Sequence, residues 1–301
     1  MQSALRVTEE VRRALAERQP VVGLESTIFS HLGLPSPANA EALDRSLAAV
    51  RSGGAVPAIT AVLDGVARVG VDPDEHERIL GPARKTADRD LPLALAQQWG
   101  VGATTVSASL RLCAAVGVKV FTTGGIGGVH HGAELSGDIS ADLPAIASLP
   151  VVTVCAGAKS FLDLGRTVEW FETNGVPLLG WQTDRFPAFY APASPFPVAY
   201  RVETPEEVAG VVRHRRALGQ TGGVLVAAPI PAQHALGWDE IETARQLALA
   251  GAEAEGLSGP AVTPWVLARL GEATDGRSIP ANLSLAENNA MIAARVASAL
   301  A

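Results

Sequence analysis

A single α/β domain is the fold the sequence predicts, on three observations. Short apolar runs alternate with helical patterns along the chain, the order that builds a sheet covered by helices. Apolar residues make up 48% of the chain and aromatic ones only 5%, so the core rests on Ala, Val and Leu, which suits helices packed closely on a sheet. At 301 residues the chain is long enough for one large domain or two modest ones. With no repeat, low-complexity tract or clear linker, one domain over 1–301 is the simplest division.

Charge and cysteine content exclude several classes. A formal net charge of −7 leaves no electrostatic footprint for nucleic acid or an acidic membrane. Cys113 and Cys155 are the only cysteines, both in apolar surroundings, so neither a disulfide framework nor a zinc site is indicated. The start, MQSALRVTEEVRRALAERQP, is a charged helical pattern and not a signal peptide. The longest apolar runs fall short of a bilayer span, so a soluble cytoplasmic protein is expected.

Taken in order, residues 8–18 read as a helix with Thr8 as N-cap and Glu9 and Glu10 in its first turn; Pro20 ends it. The apolar run 21–28 reads as a strand, interrupted by Glu25 within GLESTIFSH. A buried charge without partners is costly, so on this residue alone the strand ends at Leu24 and Glu25 is solvated in a loop. An alanine-rich helix over 37–52 is closed by Gly53-Gly54. Residues 58–71 read as a hairpin around Asp64-Gly65, a type I′ turn signal. A short helix over 74–80, a dense charged loop over 84–90 and a helix over 91–99 come next, then a Ser/Thr/Ala-rich helix over 102–116.

Two strands, 119–123 and 151–155, each run into small polar residues. A helix over 161–171 and a strand over 175–180 precede a proline-rich irregular segment, 181–200. It concentrates aromatics in an aromatic-poor chain, so something should cover it: as a lid or as an oligomer contact. The remainder alternates again. Helix 204–218 carries acids early and Arg213, Arg215 and Arg216 late, as the helix dipole favours; strand 223–229 and helices beginning at 239, 263 and 281 follow, with Asn282 in the first turn of the last.

The stretch 119–167 holds the residue types that do chemistry. In open α/β sheets ligands collect at the carboxyl ends of strands, and three features gather there. The first is Lys159, after VVTVCAGA and before a helix. Desolvation and the positive end of that helix both lower a lysine's pKa, and a neutral amine can attack a carbonyl to form an imine. A surface lysine at a strand end is the commoner case, but Lys85, Lys119 and Lys159 are the only lysines among 24 basic residues. Lysine is thus kept where arginine's permanent charge would not serve.

Asp138 and Asp142 form the second feature. Aspartates four apart can share a helix face, and with Ser140 between them they suit a hard cation such as Mg²⁺ or Mn²⁺. A helix start with Ser140 as N-cap and Asp142 as an early acid explains the same residues. The pair His130-His131 suits a metal less, since adjacent residues seldom converge on one ion. The third feature is Gly-Gly-Ile-Gly-Gly at 124–128, spelled like an anion-binding nest. It lacks the Walker lysine and the Rossmann spacing, and both nucleotide readings drop.

These strings together resemble the pseudouridine-5′-phosphate glycosidases, the family that includes the indigoidine synthase A-like proteins. The matching stretches are GLESTIFSHLGLPSPANAEAL, AITAVLDGVARVG, RKTADRDLP, GATTVSASL, FTTGGIGGVHHGAELSGDISADLPAIA, VVTVCAGAKSFLDL and IPANLSLAENNA, in order over nearly the whole chain. The resemblance implies an αβα three-layer sandwich with a central mixed sheet, assembling as a trimer. It implies reversible cleavage of the C–C glycosidic bond of pseudouridine 5′-phosphate to uracil and ribose 5-phosphate, with a divalent cation, typically Mn²⁺.

By motif, Lys159 would be the imine-forming nucleophile, Glu25 the proton donor and acceptor, and Asp138 the metal residue. Ile139, Ser140, Ala141 and Asp142 would line the substrate and metal shell, Lys85 would meet the phosphate, Val106 and Thr123 would lie against the substrate, and Asn282 would face the uracil or sugar. Two departures stand out. KTADRD replaces the more usual Ser-Arg-Arg-Asp type of loop, and His130-His131 stands where His-Arg is commoner, so one positive charge is missing at each place. The alternatives are a Schiff-base lyase or glycosidase acting on another phosphorylated sugar or C-nucleotide, and a non-catalytic ribose-phosphate-binding protein.

Overall fold

The computed structural model describes residues 4–257, 265, 266, 269, 272–274 and 276–301. Eleven strands form a mixed sheet: β1 (Leu5–Val7), β2 (Val21–Leu24), β3 (Val56–Leu63), β4 (Val66–Val69), β5 (Arg84–Thr86), β6 (Val101–Thr104), β7 (Val120–Thr122), β8 (Val152–Cys155), β9 (Leu178–Trp181), β10 (Tyr200–Val202) and β11 (Val224–Ala227). The run β3-β2-β7-β8-β11-β9-β10 is parallel throughout. The long strand β3 pairs with β2 through Val56–Ile59, then with β4 and β6, both antiparallel, through its second half. Beyond them, β1 pairs with β4 and β5 with β6.

Side chains alternate across a strand, and the parallel strands use that period to feed two cores. Val22, Val120, Val152, Val154, Val224 and Val226 point to one face; Val21, Phe121, Cys155, Leu225 and Ala227 point to the other. The first face is covered by helices α2 (Ala38–Ser52), α9 (Pro205–Ala217) and α11 (Ser278–Ala299). The second is covered by α1 (Glu9–Ala16), α5 (Val106–Val116), α7 (Asp142–Ser148) and α8 (Leu164–Thr173). The expected three-layer αβα sandwich with a mixed sheet is therefore what the chain builds. Between these come α3 (His76–Leu80), α4 (Leu91–Ala96), α6 (Ala133–Ser136) and α10 (Trp238–Ala254). No described helix is long and apolar enough to cross a membrane.

Helix α11 matters most for the site. Ala281, Ala286, Ala290, Ala293, Ala294 and Ala297 are all buried, and such small side chains let it lie close against α2 and the strands β2, β7 and β8. Its first half thereby reaches over the strand ends. It begins at Ser278, so Asn282 sits in its second turn rather than its first.

Several local expectations change. The hairpin turn is as expected, with Asp64 and Gly65 both at positive φ, 51° and 71°. The charged loop 84–90 instead contains β5, and the helix expected over 102–116 begins only at Val106, because residues 101–104 form β6. Strand β6 is drawn into the sheet by β3 and β5 on either side, a tertiary override that local composition does not signal. The short edge strands β1 and β10 were read as parts of other segments. The helix expected from residue 263 lies largely outside the described residues. Segment 181–200 covers much of its own apolar surface: Phe186, Ala188, Phe189, Tyr190 and Ala191 are buried within their own chain, while Tyr200 at its end is exposed.

Candidate active site

Three neighbouring parallel strands, β2, β7 and β8, deliver Glu25, Thr123 and Lys159 at their carboxyl ends. Beyond the last residue of β7 the pairing with β8 continues into the loops: Thr123 N donates to Val154 O (3.1 Å), Ala156 N to Gly124 O (2.9 Å), Ile126 N to Gly157 O (3.1 Å) and Lys159 N to Ile126 O (3.1 Å). Lys159 thus hangs at the tip of a zipped pair of loops. Helix α8 starts only at Leu164, with its N-terminus capped by Asp163, whose Oδ1 accepts from Arg166 N (3.0 Å). The helix dipole expected directly behind Lys159 is therefore displaced by several residues.

Glu25 is not solvated. It is 8% exposed, and its Oε1 accepts a hydrogen bond from Thr123 Oγ1. Burial raises its carboxyl to a pKa of about 7, opposed by the positive charge of Lys159, the Thr123 bond and Lys85, and reinforced by the negative charge of Asp142. This is the range in which a side chain can both give and take a proton near neutrality. The neighbouring backbone is locked by buried hydroxyls: Thr60 Oγ1 donates to Leu24 O (3.1 Å), and Thr104 N donates to Ser26 Oγ (2.9 Å).

Lys85 comes from β5, which brings it into the same field. Its residue surface is exposed, yet desolvation and the nearby Lys159 hold its amine below the usual lysine range. Side chains alternate along β5, and Arg84 turns away to stack over Trp99, 4.9 Å from the ring centroid. One of the charges in the motif is thus spent outside the site.

Asp138 and Asp142 do not form a pair. Gly137, at φ 69°, ends α6, and α7 starts at Asp142, so helical spacing does not apply between them. Asp142 is buried, its Oδ1 accepting from Ser107 N (3.0 Å) and its Oδ2 from Gly127 N (2.9 Å). It pins the first turn of α5, where Val106 is also buried, to the glycine loop. A Cβ on Gly127 would stand 2.2 Å from Ser140 Oγ, so this glycine serves close packing. With the amides of Ile126 and Gly127 both used internally, the loop is not the open anion nest its spelling suggests. The N-cap of α7 is Ala141 and not Ser140; Ser140 stands one residue earlier, its Oγ accepting from Asp142 N (3.2 Å), while Ile139 is exposed and Ala141 partly so.

Asp138 has a side chain 48% exposed, with His130 Nδ1 at 3.9 Å. His130 is held below its usual pKa, chiefly by burial, with Lys85 and Lys159 adding to the effect against Asp138. Among the described residues no three His, Cys, Asp or Glu side chains converge on one point. A divalent cation here would have Asp138 as its protein ligand and water for the rest, a set that hard ions accept. His131 is engaged elsewhere, with Arg245 NH1 3.0 Å from its Nε2.

The roof comes from segment 181–200 and α11. Phe189 N donates to Ala156 O (2.9 Å), and its ring packs where a Cβ on Gly125 would stand. Gly157 is at φ 79°, and any side chain there would collide with Pro187 O, 1.9 Å away. Asn282 reaches over Gly124, and its Oδ1 is buried without a partner. The residue that sequence reasoning missed is Asn289, which is wholly buried and bonded to the Thr123 and Gly124 carbonyls. Its signal was an amide on the buried face of an alanine-rich helix.

The chain is similar in sequence and structure to proteins of one family. The model of the indigoidine synthase A like proteins matches residues 10–299. A pseudouridine-5′-phosphate glycosidase of Sorangium cellulosum is 48% identical over 98% of this chain and 93% of its own length. That of Escherichia coli K12 is 46% identical over 97% and 94%. Among solved structures, the prealnumycin C-glycosynthase AlnA in complex with ribulose 5-phosphate superposes with a TM-score of 0.92 at 36% identity, covering 100% of this chain and 98% of that one. With the match spanning both cores and every strand that carries the site, the chain belongs to the indigoidine synthase A-like family.

Proposed function

We propose that this protein is a pseudouridine-5′-phosphate glycosidase: it reversibly cleaves the C–C bond between uracil C5 and ribose C1, giving uracil and ribose 5-phosphate. The observation that carries this is the buried Glu25, held near neutrality within the fields of Lys159 and Lys85. Carbon-linked uracil is a poor leaving group, so the bond needs an electron sink. The Lys159 amine bonds to C1 as the C1–O4 ring bond breaks, and Glu25 gives its proton to the ring oxygen. Glu25 then regains a proton from the ammonium formed at Lys159 and passes it to uracil C5; the C1–C5 electron pair returns to the uracil ring while the freed nitrogen lone pair forms the C1=N bond. Water hydrolyses this imine, releasing ribose 5-phosphate and the free amine.

In this reading Lys85 holds the 5′-phosphate, Val106, Thr123, Ile139, Ser140 and Ala141 bound the substrate, and Asn282 offers its unpaired oxygen to an N–H or O–H of the ligand. Asp142 acts on the substrate indirectly, by fixing the glycine loop. A divalent cation such as Mn²⁺ at Asp138 would add positive charge beside the phosphorylated sugar. Incubation with pseudouridine 5′-phosphate and Mn²⁺, followed for free uracil, tests the activity. Chelation should abolish release, and Mn²⁺ should restore it in the wild type but poorly in Asp138→Ala; full activity without metal would reject the cation's role.

The neighbour with ribulose 5-phosphate bound favours a second reading, a Schiff-base enzyme of another sugar phosphate or C-nucleotide. A substrate panel without uracil release from pseudouridine 5′-phosphate would select it. We also infer a homotrimer acting in the cytoplasm. Leu135 and Tyr200, 91% and 62% exposed, are apolar side chains that an assembly would cover. Light scattering should give a trimer mass, and a monomer that persists at all concentrations would contradict it.

A further inference from the structure

Glu25 and Thr123 face each other from two strands, and the structure holds each from behind. Behind Glu25 stand the buried hydroxyls of Thr60, Thr104 and Ser26. Behind Thr123 stands Asn289 of α11, 0% exposed, whose Nδ2 donates to Thr123 O (2.9 Å) and Gly124 O (3.2 Å). Its Oδ1 is buried with no partner. An apolar side chain would leave no such orphan, so the use of this amide lies in the two bonds its nitrogen gives.

Those bonds complete the restraint on Thr123. Its N–H already goes to Val154 O (3.1 Å), and with its carbonyl also held, only χ1 remains to place the hydroxyl. In a β-branched residue that angle is stiff. We propose that Asn289 is a positioning residue for proton transfer: by clasping the Thr123 and Gly124 carbonyls from the last helix, it fixes the end of β7 so that Thr123 Oγ1 meets Glu25 Oε1. The proposal rests on the reading of Glu25 as the proton carrier.

Lys159, Lys85 and Asp142 also act on Glu25. The hydrogen bonds of Asn289 go to backbone carbonyls alone, so its removal reaches Glu25 through Thr123 and not through those charges.

The test is first read without substrate. The stability difference between a protein and its Glu25→Gln version, followed against pH, reports the titration of Glu25. The Thr123 bond favours the ionised carboxylate, so losing it moves the midpoint up from about 7. Asn289→Ala and Thr123→Val should each raise it by about 0.5 to 1 pH unit, and the double variant by no more than the larger single shift. With pseudouridine 5′-phosphate, Asn289→Ala should lower kcat about tenfold while KM changes less than about twofold. Should the alanine variant not fold, Asn289→Ser, with one donor on a shorter side chain, carries the same expectation. A midpoint unmoved by loss of Asn289, or shifts that add in the double variant, overturns the proposal. If the wild type releases no uracil, the reading of its function fails, while the midpoint still decides the role of Asn289.

Discussion

Borohydride added during turnover should leave ribose phosphate covalently on Lys159 and on no other residue. Imine chemistry requires a lone pair at the attacking nitrogen. Lys159→Arg keeps the charge but has no usable lone pair, so it should lose turnover by about 10³-fold or more while still binding the sugar phosphate. Lys159→Ala should be equally inactive, and neither should give an adduct. The structure identifies the competitor that makes this a real test. Lys119 is occupied, its Nζ donating to Leu300 O at 2.9 Å. Lys85 is not so held, and its amine lies below the usual lysine range, so it too has nucleophilic character. Peptide mapping that places the adduct on Lys85, or near-normal uracil release by Lys159→Ala, would sink the assignment of the nucleophile.

Where the site lies was legible in the sequence; how it is held was not. Strands β7 and β8 announced themselves as apolar runs ending in small polar residues, and Lys159 stood out by its rarity. Glu25 shows the limit of local reasoning. A lone carboxylate after an apolar strand reads as solvated, because its partners, Thr123, Lys159 and Lys85, are supplied by other strands far along the chain. The spacing of Asp138 and Asp142 misled for the opposite reason: it fits a helix, but Gly137 breaks the chain between two helices. Strand β6 was missed because Thr104 and Gly102 owe their extended shape to flanking strands. The aromatics of 181–200 were expected to need a lid or an oligomer contact, yet Phe186, Phe189 and Tyr190 are buried by their own chain, with Phe189 packed on the glycine loop.

Replacing Glu25 by Gln should destroy activity and stabilise the fold, and the second effect should depend on pH. The carboxyl has a pKa of about 7 in the folded protein against a reference value of 4.5. Between those values the native state holds a proton that the unfolded chain has lost. The stability this group contributes is therefore fully present below about 4.5 and is lost as pH rises through about 7. The shift corresponds to about 3 kcal/mol at full ionisation. Glutamine keeps the shape and never ionises. Glu25→Gln should thus melt on the order of 5 °C above the wild type at pH 8.5, and the gap should narrow as pH falls and close below about pH 4.5. Turnover should meanwhile fall by about 10² to 10⁴-fold, the worth of a positioned acid–base group. Because Lys159 remains, borohydride with ribose 5-phosphate should still trap an adduct on the variant. A Gln variant no more stable than wild type at pH 8.5 would mean that Glu25 is not buried as an acid near neutrality, and retained turnover would assign the proton to another group.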